Sequence, residues 1–158
     1  MNNISHAFSK VSAVVFVFIL LLAPNSWARL GETFEQIQSR YGVLMKVDNV
    51  TRADYPQYFF QKDGIDIRVR FVNGKSAQEI FSAPVPNIQT VAAEILSSNA
   101  QGSTWSSTAI GKSTEYMRAD GKATAQYIRS KRSPDRIALL RVQTIEFNRA
   151  FNPRGVEF

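Results

Sequence analysis

Tyr58–Phe81 reads YFFQKDGIDIRVRFVNGKSAQEIF. Asp63-Gly64 and Asn73-Gly74 are turn dipeptides that tolerate positive φ, so each can close a tight hairpin. Between them Ile65, Ile67, Val69 and Phe71 alternate with Asp66, Arg68 and Arg70, the period of a half-buried strand. The stretch therefore predicts a three-stranded meander with one apolar and one charged face. A two-residue loop at Asp63-Gly64 sets Lys62 opposite Ile65, Phe60 opposite Ile67 and Tyr58 opposite Val69. Partners across a strand pair share a face, so Tyr58 and Phe60 join the core side. Phe59 then lies outside, opposite Arg68, within cation–π reach. At Asn73-Gly74 an unbulged loop pairs Glu79 with Arg68 and Ile80 with Ile67, at the cost of placing Gln78 inside. A bulge would slide this strand by one residue and exchange its faces. The unbulged register is preferred because it gives Glu79 an arginine partner.

Outward from the meander, Arg29–Gly42 (RLGETFEQIQSRYG) carries Thr33 and Gln36 at capping-box spacing. Leu30, Phe34, Ile37 and Tyr41 recur at helical spacing, and Gly42 is placed to stop the helix. Val43–Val47 reads as a strand and residues 48–57 as a loop. On the other side, Pro84 and Pro86 make Ser82–Pro86 a break. Asn87 can cap a second helix with the stripe Ile88, Val91, Ala92, Ile95 and Leu96. Trp105 reads as a lid on the core. Thr114–Ser130 is a second hairpin turning at Asp120-Gly121, Arg136–Phe147 a final strand region, and Asn152–Gly155 a tail. The predicted fold is α+β. It has an antiparallel sheet of about six to eight strands and two short helices on one face. The order helix-then-meander occurs twice, over 29–83 and 87–147, and FQKDGIDIRVRF (60–71) aligns with MRADGKATAQYI (117–128) across the Asp-Gly turn. That suggests two tandem helix-βββ units. The apolar phase differs between them: in the second hairpin Ala123, Ala125 and Tyr127 form the more apolar face.

Residues 1–28 look like a secretory signal peptide. Lys10 precedes the apolar run Val11–Leu22, Pro24 breaks it, and Ser26-Trp27-Ala28 places small residues where a signal peptidase reads, predicting cleavage after Ala28. The run is shorter than the roughly 20 residues a spanning helix needs, so no transmembrane segment is expected after cleavage. Residues 29–158, about 130 of them, suit one domain with a single core. The chain has 19 Lys+Arg against 13 Asp+Glu, a net charge of +6, and the excess concentrates in the second half.

The chemistry is bounded by what is missing. There is no cysteine, and the one histidine, His6, lies in the leader. Ser–His and Cys–His nucleophiles, thiol redox chemistry and ordinary zinc sites are thereby removed from the processed chain. No metal or cofactor is expected: Asp63 and Asp66 lack the acidic ladder of a calcium loop, and Gly111-Lys112-Ser113 lacks the upstream glycine of a phosphate loop. The acid pairs Glu32/Glu35, Glu115/Asp120 and Glu79/Glu94 can be named for a two-carboxylate hydrolase, but nothing singles one out. A basic patch of Arg118, Arg129, Lys131 and Arg132 could hold a polyanion, although charge runs most often serve solubility. Nucleic acid is not expected, since the chain is exported and carries no nucleic-acid motif. The outer face of the first meander offers Phe59, Arg68, Arg70 and Phe81, residue types enriched at interface centres. The alternative for that face is plain solvation, with arginine stems covering the rings.

Arg29-Leu-Gly-Glu-Thr with Arg40-Tyr-Gly42, the meander Phe60–Phe81, the second helix and Gly102-Ser-Thr-Trp105 resemble small bacterial envelope proteins of the BamE (SmpA/OmlA)-like fold. Two such units in tandem are similar to the β-lactamase-inhibitor protein. The resemblance implies that fold and an envelope setting, and no functional residue. It departs from those families in lacking the lipoprotein cysteine and the inhibitor's cysteines, and in having Val43 where a proline often follows the helix. Together these readings predict a non-catalytic exported protein, periplasmic or secreted, that binds a protein or an anionic envelope component. The alternative is a carboxylate-dependent envelope hydrolase.

Overall fold

The structure, a computed structural model, describes Trp27 and residues 29–49, 54–129 and 137–151. In chain order the elements are α1 (Phe34–Tyr41), β1 (Lys46–Asp48), β2 (Gln57–Lys62), β3 (Ile65–Val72), β4 (Lys75–Pro84), α2 (Val85–Ala100), β5 (Trp105–Ile110), β6 (Ser113–Arg118), β7 (Ala123–Arg129), β8 (Ile137–Thr144) and α3 (Ile145–Phe151). The strands form one eight-stranded sheet in the order β1-β2-β3-β4-β8-β7-β6-β5. Every neighbouring pair is antiparallel. The class is α+β, with two successive meanders, β1–β4 and β5–β8, joined edge to edge where β4 meets β8. Each meander has four strands rather than three.

The Asp-Gly and Asn-Gly turns act as their chemistry dictates. Asp63 and Gly64 sit at φ 52° and 74°, Asn73 and Gly74 at 50° and 72°, the two consecutive positive values that match a hairpin's right-handed twist. The β2–β3 register follows: Lys62 faces Ile65, Phe60 faces Ile67, Phe59 faces Arg68 and Tyr58 faces Val69. The β3–β4 register corrects the unbulged expectation. Val72 pairs Lys75 and Phe71 pairs Ser76, but Arg70 pairs Gln78, so Ala77 is an extra residue on β4. That bulge exchanges the faces of the rest of the strand. Phe81 now faces Ile67 and Glu79 faces Val69 inside; Ile80 faces Arg68 and Gln78 faces Arg70 outside. The bulge buries the Phe81 ring, 0% exposed, worth roughly 1.5–3 kcal/mol, and carries Glu79 into the core with it.

The core lies on one side of the sheet. Ile37 and Tyr41 of α1 and Ile88 and Ile95 of α2 pack on Phe60, Ile67, Val69, Phe81, Ala123, Ala125, Leu140 and Val142. Trp27, 4% exposed, belongs to the same cluster. The second hairpin keeps the phase read from its sequence, with Ala123 and Ala125 inside. Trp105 packs against the core and donates its indole N–H to the Leu96 carbonyl at 2.8 Å. Pro84 does not break β4 early: it is the last strand residue, pairs with Ile137, and is itself the N-cap of α2. Pro86 follows in the first helical turn, where a missing N–H costs nothing. Asn87 is therefore inside the helix.

At α1 the capping box is present: the Gln36 amide N–H donates to Thr33 Oγ1 at 3.4 Å, and the Thr33 N–H donates to Gln36 Oε1 at 2.9 Å. Thr33→Ala is expected to lower stability by about 1 kcal/mol, read as a shift of the urea midpoint at unchanged slope.

A third helix, α3, corrects the reading of Arg136–Phe147 as strand throughout. The strand ends at Thr144, whose Oγ1 accepts the Phe147 N–H at 3.1 Å. Phe147 and Phe151, four residues apart, stack at 5.1 Å. With Ile80, Arg70 and Arg141 they line a cleft on the face opposite α1 and α2. The far face of the sheet, expected to be open, is thus partly roofed.

Candidate functional site

Strand pairing arranges the outer face in rows. One row runs Phe59, Arg68, Ile80, Arg141, Gln126, Glu115. The next runs Gln57, Arg70, Gln78, Gln143, Thr124. Side chains on one face of adjacent strands stand about 5 Å apart, so three arginines gather at the sheet centre, two from β3 and one from β8. Ile80 and Gln78 of β4 separate them.

Over this centre lies a cleft of about 360 Å³ between the sheet and α3, lined by Arg70, Gln78, Ile80, Arg141, Gln143, Phe147, Asn148 and Phe151. The guanidinium of Arg70 sits 5.0 Å from the Phe151 ring centroid and donates from Nη1 to Gln78 Oε1 at 2.7 Å. Gln78 Nε2 donates to Gln143 Oε1 at 2.8 Å. This chain of amides fixes Arg70, and among the described residues of the lining there is no carboxylate. Arg141 is half-buried, and its Nε–H has no hydrogen-bond partner. Burial, then the like charge of Arg68, lowers its affinity for the proton below that of an ordinary arginine. A guanidinium stays charged even so, and a buried donor left unmade is costly. An anion bound in the cleft would offset the like charge of Arg68.

The residues named from sequence are dispersed by the fold. Arg68 and Phe59 are on the outer face, half-buried, but the ring of Phe59 is covered by Lys46, 5.6 Å from its centroid, not by Arg68. Arg70 is on that face yet buried beneath α3, so it is no part of an open surface. Phe81 is corrected outright: the bulge turns it into the core. In the basic patch, Arg118 is buried; it donates from Nη1 to the Asn99 carbonyl at 2.9 Å and pairs with Asp120 at 2.9 Å. It ties α2 to the β6–β7 turn. Arg129 is exposed at the end of β7, and Lys131 and Arg132 lie outside the described residues. Arg141 and Gln143 were readable from Leu140-Arg141-Val142-Gln143, whose alternation puts both opposite two core residues. Phe147 and Phe151 were hidden by the missed helix.

A second cluster of ionisable groups has its innermost member closed to solvent. Glu79, 0% exposed, accepts a hydrogen bond from the Tyr41 hydroxyl at 3.2 Å, while its other oxygen has no partner. Burial first, and the negative charge of Glu32 second, push its carboxyl up to about 8. Glu32 is held by Arg40, whose Nε donates at 2.9 Å to each carboxylate oxygen. Of the acids named for a hydrolase, Glu79 is thus in the core and Glu94 exposed on α2. Among the described residues no group of three or more acids, histidines or cysteines could hold a metal. No helix among them is long and apolar enough to cross a membrane.

No family model matches the chain, and no curated protein matches it. Among solved structures it is similar to a cysteine-rich secretory protein from Staphylococcus aureus subsp. aureus Mu50, with 16% identity and a TM-score of 0.44 over 75% of this chain and 45% of that one. It is also similar to an extracellular protein containing an SCP domain from Bacillus anthracis str. Ames, with 13% identity and a TM-score of 0.42 over 74% of this chain and 44% of that one. The chain spans less than half the length of either. These findings correct the resemblance to the BamE-like and β-lactamase-inhibitor-like folds, since the solved structures it resembles are of another kind. The architecture differs from that expectation as well, having four strands per meander and a third helix on the far face.

Proposed function

We propose that the chain is an exported, non-catalytic binding protein, periplasmic or secreted, whose outer-face cleft takes a carboxylate carried on an apolar or aromatic group of a partner protein. The observation that carries this reading is Arg141. It is a half-buried guanidinium set beside the like charge of Arg68, in a cleft whose described lining supplies a second guanidinium and two aromatic rings and no acid. A planar fork of donors matches a carboxylate, and Phe147 with Phe151 suits the apolar remainder. Support for export is the leader-like pattern of residues 1–28. Support for a non-catalytic role is the absence of cysteine, and of histidine after His6, together with the burial of Glu79 in the core away from the cleft.

N-acetyl-phenylalanine, its neutral amide and inorganic phosphate are suitable calorimetric probes. The acid is expected to bind, the amide to bind at least tenfold more weakly, and Arg141→Ala to cost the acid roughly tenfold or more, since a hydrogen bond to a charged group is worth about 1.5–3 kcal/mol. Stronger binding of phosphate, lost in Arg129→Ala and not in Arg141→Ala, would favour the polyanion reading. Absence of saturable binding by the acid, or binding indifferent to Arg141→Ala, would remove the cleft from consideration.

A further inference from the structure

We infer that the seat filled by Trp27 is a binding site for a tryptophan side chain on an extended segment of a partner protein, opened when the chain is cut after Ala28. Trp27 precedes the cleavage point read from the sequence, yet its ring is in the core. The walls of its seat all lie downstream of that point. Phe81 of β4 meets the indole edge-on at 5.8 Å and 88°. Tyr41 of α1 is tilted against it at 6.3 Å. Lys62 of β2 places its ammonium 5.3 Å from the ring centroid. Glu94 of α2 accepts the indole N–H at 3.2 Å. Cutting the chain removes the occupant and leaves the walls.

Two features mark the seat as a recognition site rather than an ordinary core position. The first is its chemistry. Trp105, a tryptophan downstream of the cut, satisfies its N–H with a backbone carbonyl. Trp27 instead meets a carboxylate and an ammonium, side chains that discriminate an indole from phenylalanine or leucine by its N–H and its electron-rich face. The second is that the adjoining backbone is held without Trp27. The Leu30 N–H donates to Asn99 Oδ1 at 2.8 Å, and Gln101 Nε2 donates to the Leu30 carbonyl at 2.8 Å. The Gly31 N–H donates to the Ser76 carbonyl at 2.7 Å, and Ser76 Oγ donates to the Arg29 carbonyl at 3.0 Å. The rim of the seat is therefore fixed by residues that remain after cleavage. The site is on the core side of the sheet, independent of the Arg141 cleft.

The test uses the protein produced with its leader in its native host and recovered after export. Intact mass is measured first. Then N-acetyl-tryptophanamide and the peptide acetyl-Asn-Ser-Trp-Ala-amide are titrated, each beside its 1-methyltryptophan version, by calorimetry and by thermal shift. The expected result is a mass beginning at Arg29, a rise in melting temperature with both probes, and roughly fivefold weaker binding once methylation removes the indole donor, the size of one hydrogen bond. In Glu94→Ala, whose side chain is exposed, methylated and parent probes should bind equally. A recovered chain that retains Trp27 would overturn the proposal, because the seat is then never vacated. So would a processed chain that N-acetyl-tryptophanamide stabilises no more than N-acetyl-glycinamide, or one that binds the methylated probe as well as the parent.

Discussion

Replacing Glu79 by glutamine is expected to stabilise the protein by about 3–4 kcal/mol at pH 7 and to flatten its stability between pH 4.5 and about 8. The folded carboxyl is raised to about 8 from an ordinary value of 4.5, so the folded state holds a proton that the unfolded state has released. Stability falls with pH wherever the native state binds more protons. Below pH 4.5 both states are protonated and the residue contributes no slope. Between 4.5 and about 8 the folded protein loses stability, by about 1.4 kcal/mol per pH step, on the order of 5 kcal/mol in all. Above that range the penalty is constant. Glutamine keeps the shape and the acceptor for the Tyr41 hydroxyl and has no charge to bury. Urea unfolding at a series of pH values measures this. Coincident curves below pH 4.5 that separate as pH rises are the expected pattern; parallel curves would show that Glu79 is not the titrating group.

Phe81→Ala should cost about 3–5 kcal/mol, the range for emptying a fully buried aromatic position, whereas Phe59→Ala should cost under about 1 kcal/mol as a half-exposed ring. Phe81 touches Tyr41 and Trp27 and lies opposite Ile67 on one side and Leu140 on the other. Its loss leaves a hole at the centre of the sheet that several elements share. For a domain with a total stability of about 5–15 kcal/mol, that loss brings the unfolded form into reach at room temperature. Denaturant midpoints of the two variants decide it. Equal shifts would mean that Phe59 and Phe81 share the outer face and that the bulge at Ala77 is absent.

The same bulge explains how far the sequence could be read. Alternation and turn dipeptides are local, so the β2–β3 register, the α1 capping box and the phase of Ala123 and Ala125 were all open to inspection. The β3–β4 register was not. Local charge matching argued for Glu79 beside Arg68, and only the whole core could show that burying Phe81 decides the strand's face. The third helix was half-visible, with Thr144 as a cap and Phe147 and Phe151 one turn apart, but the apolar run before it masked the change of period. The cleft depends on β8 lying beside β4, a pairing with no local signal. Arg141 could be placed on a face from sequence, but its neighbours could not.

That seam also governs the order of events during folding. Gln78 and Gln143, bonded across it, are 65 residues apart, and β8 fills the middle of the sheet although it is the last strand in the chain. While the polypeptide emerges from its amino end, β4 presents an open edge and α1 has only half a core beneath it. Closing so distant a contact is slow, because the loop entropy is spent before the contact repays it. The central strand arrives last and locks both meanders at once.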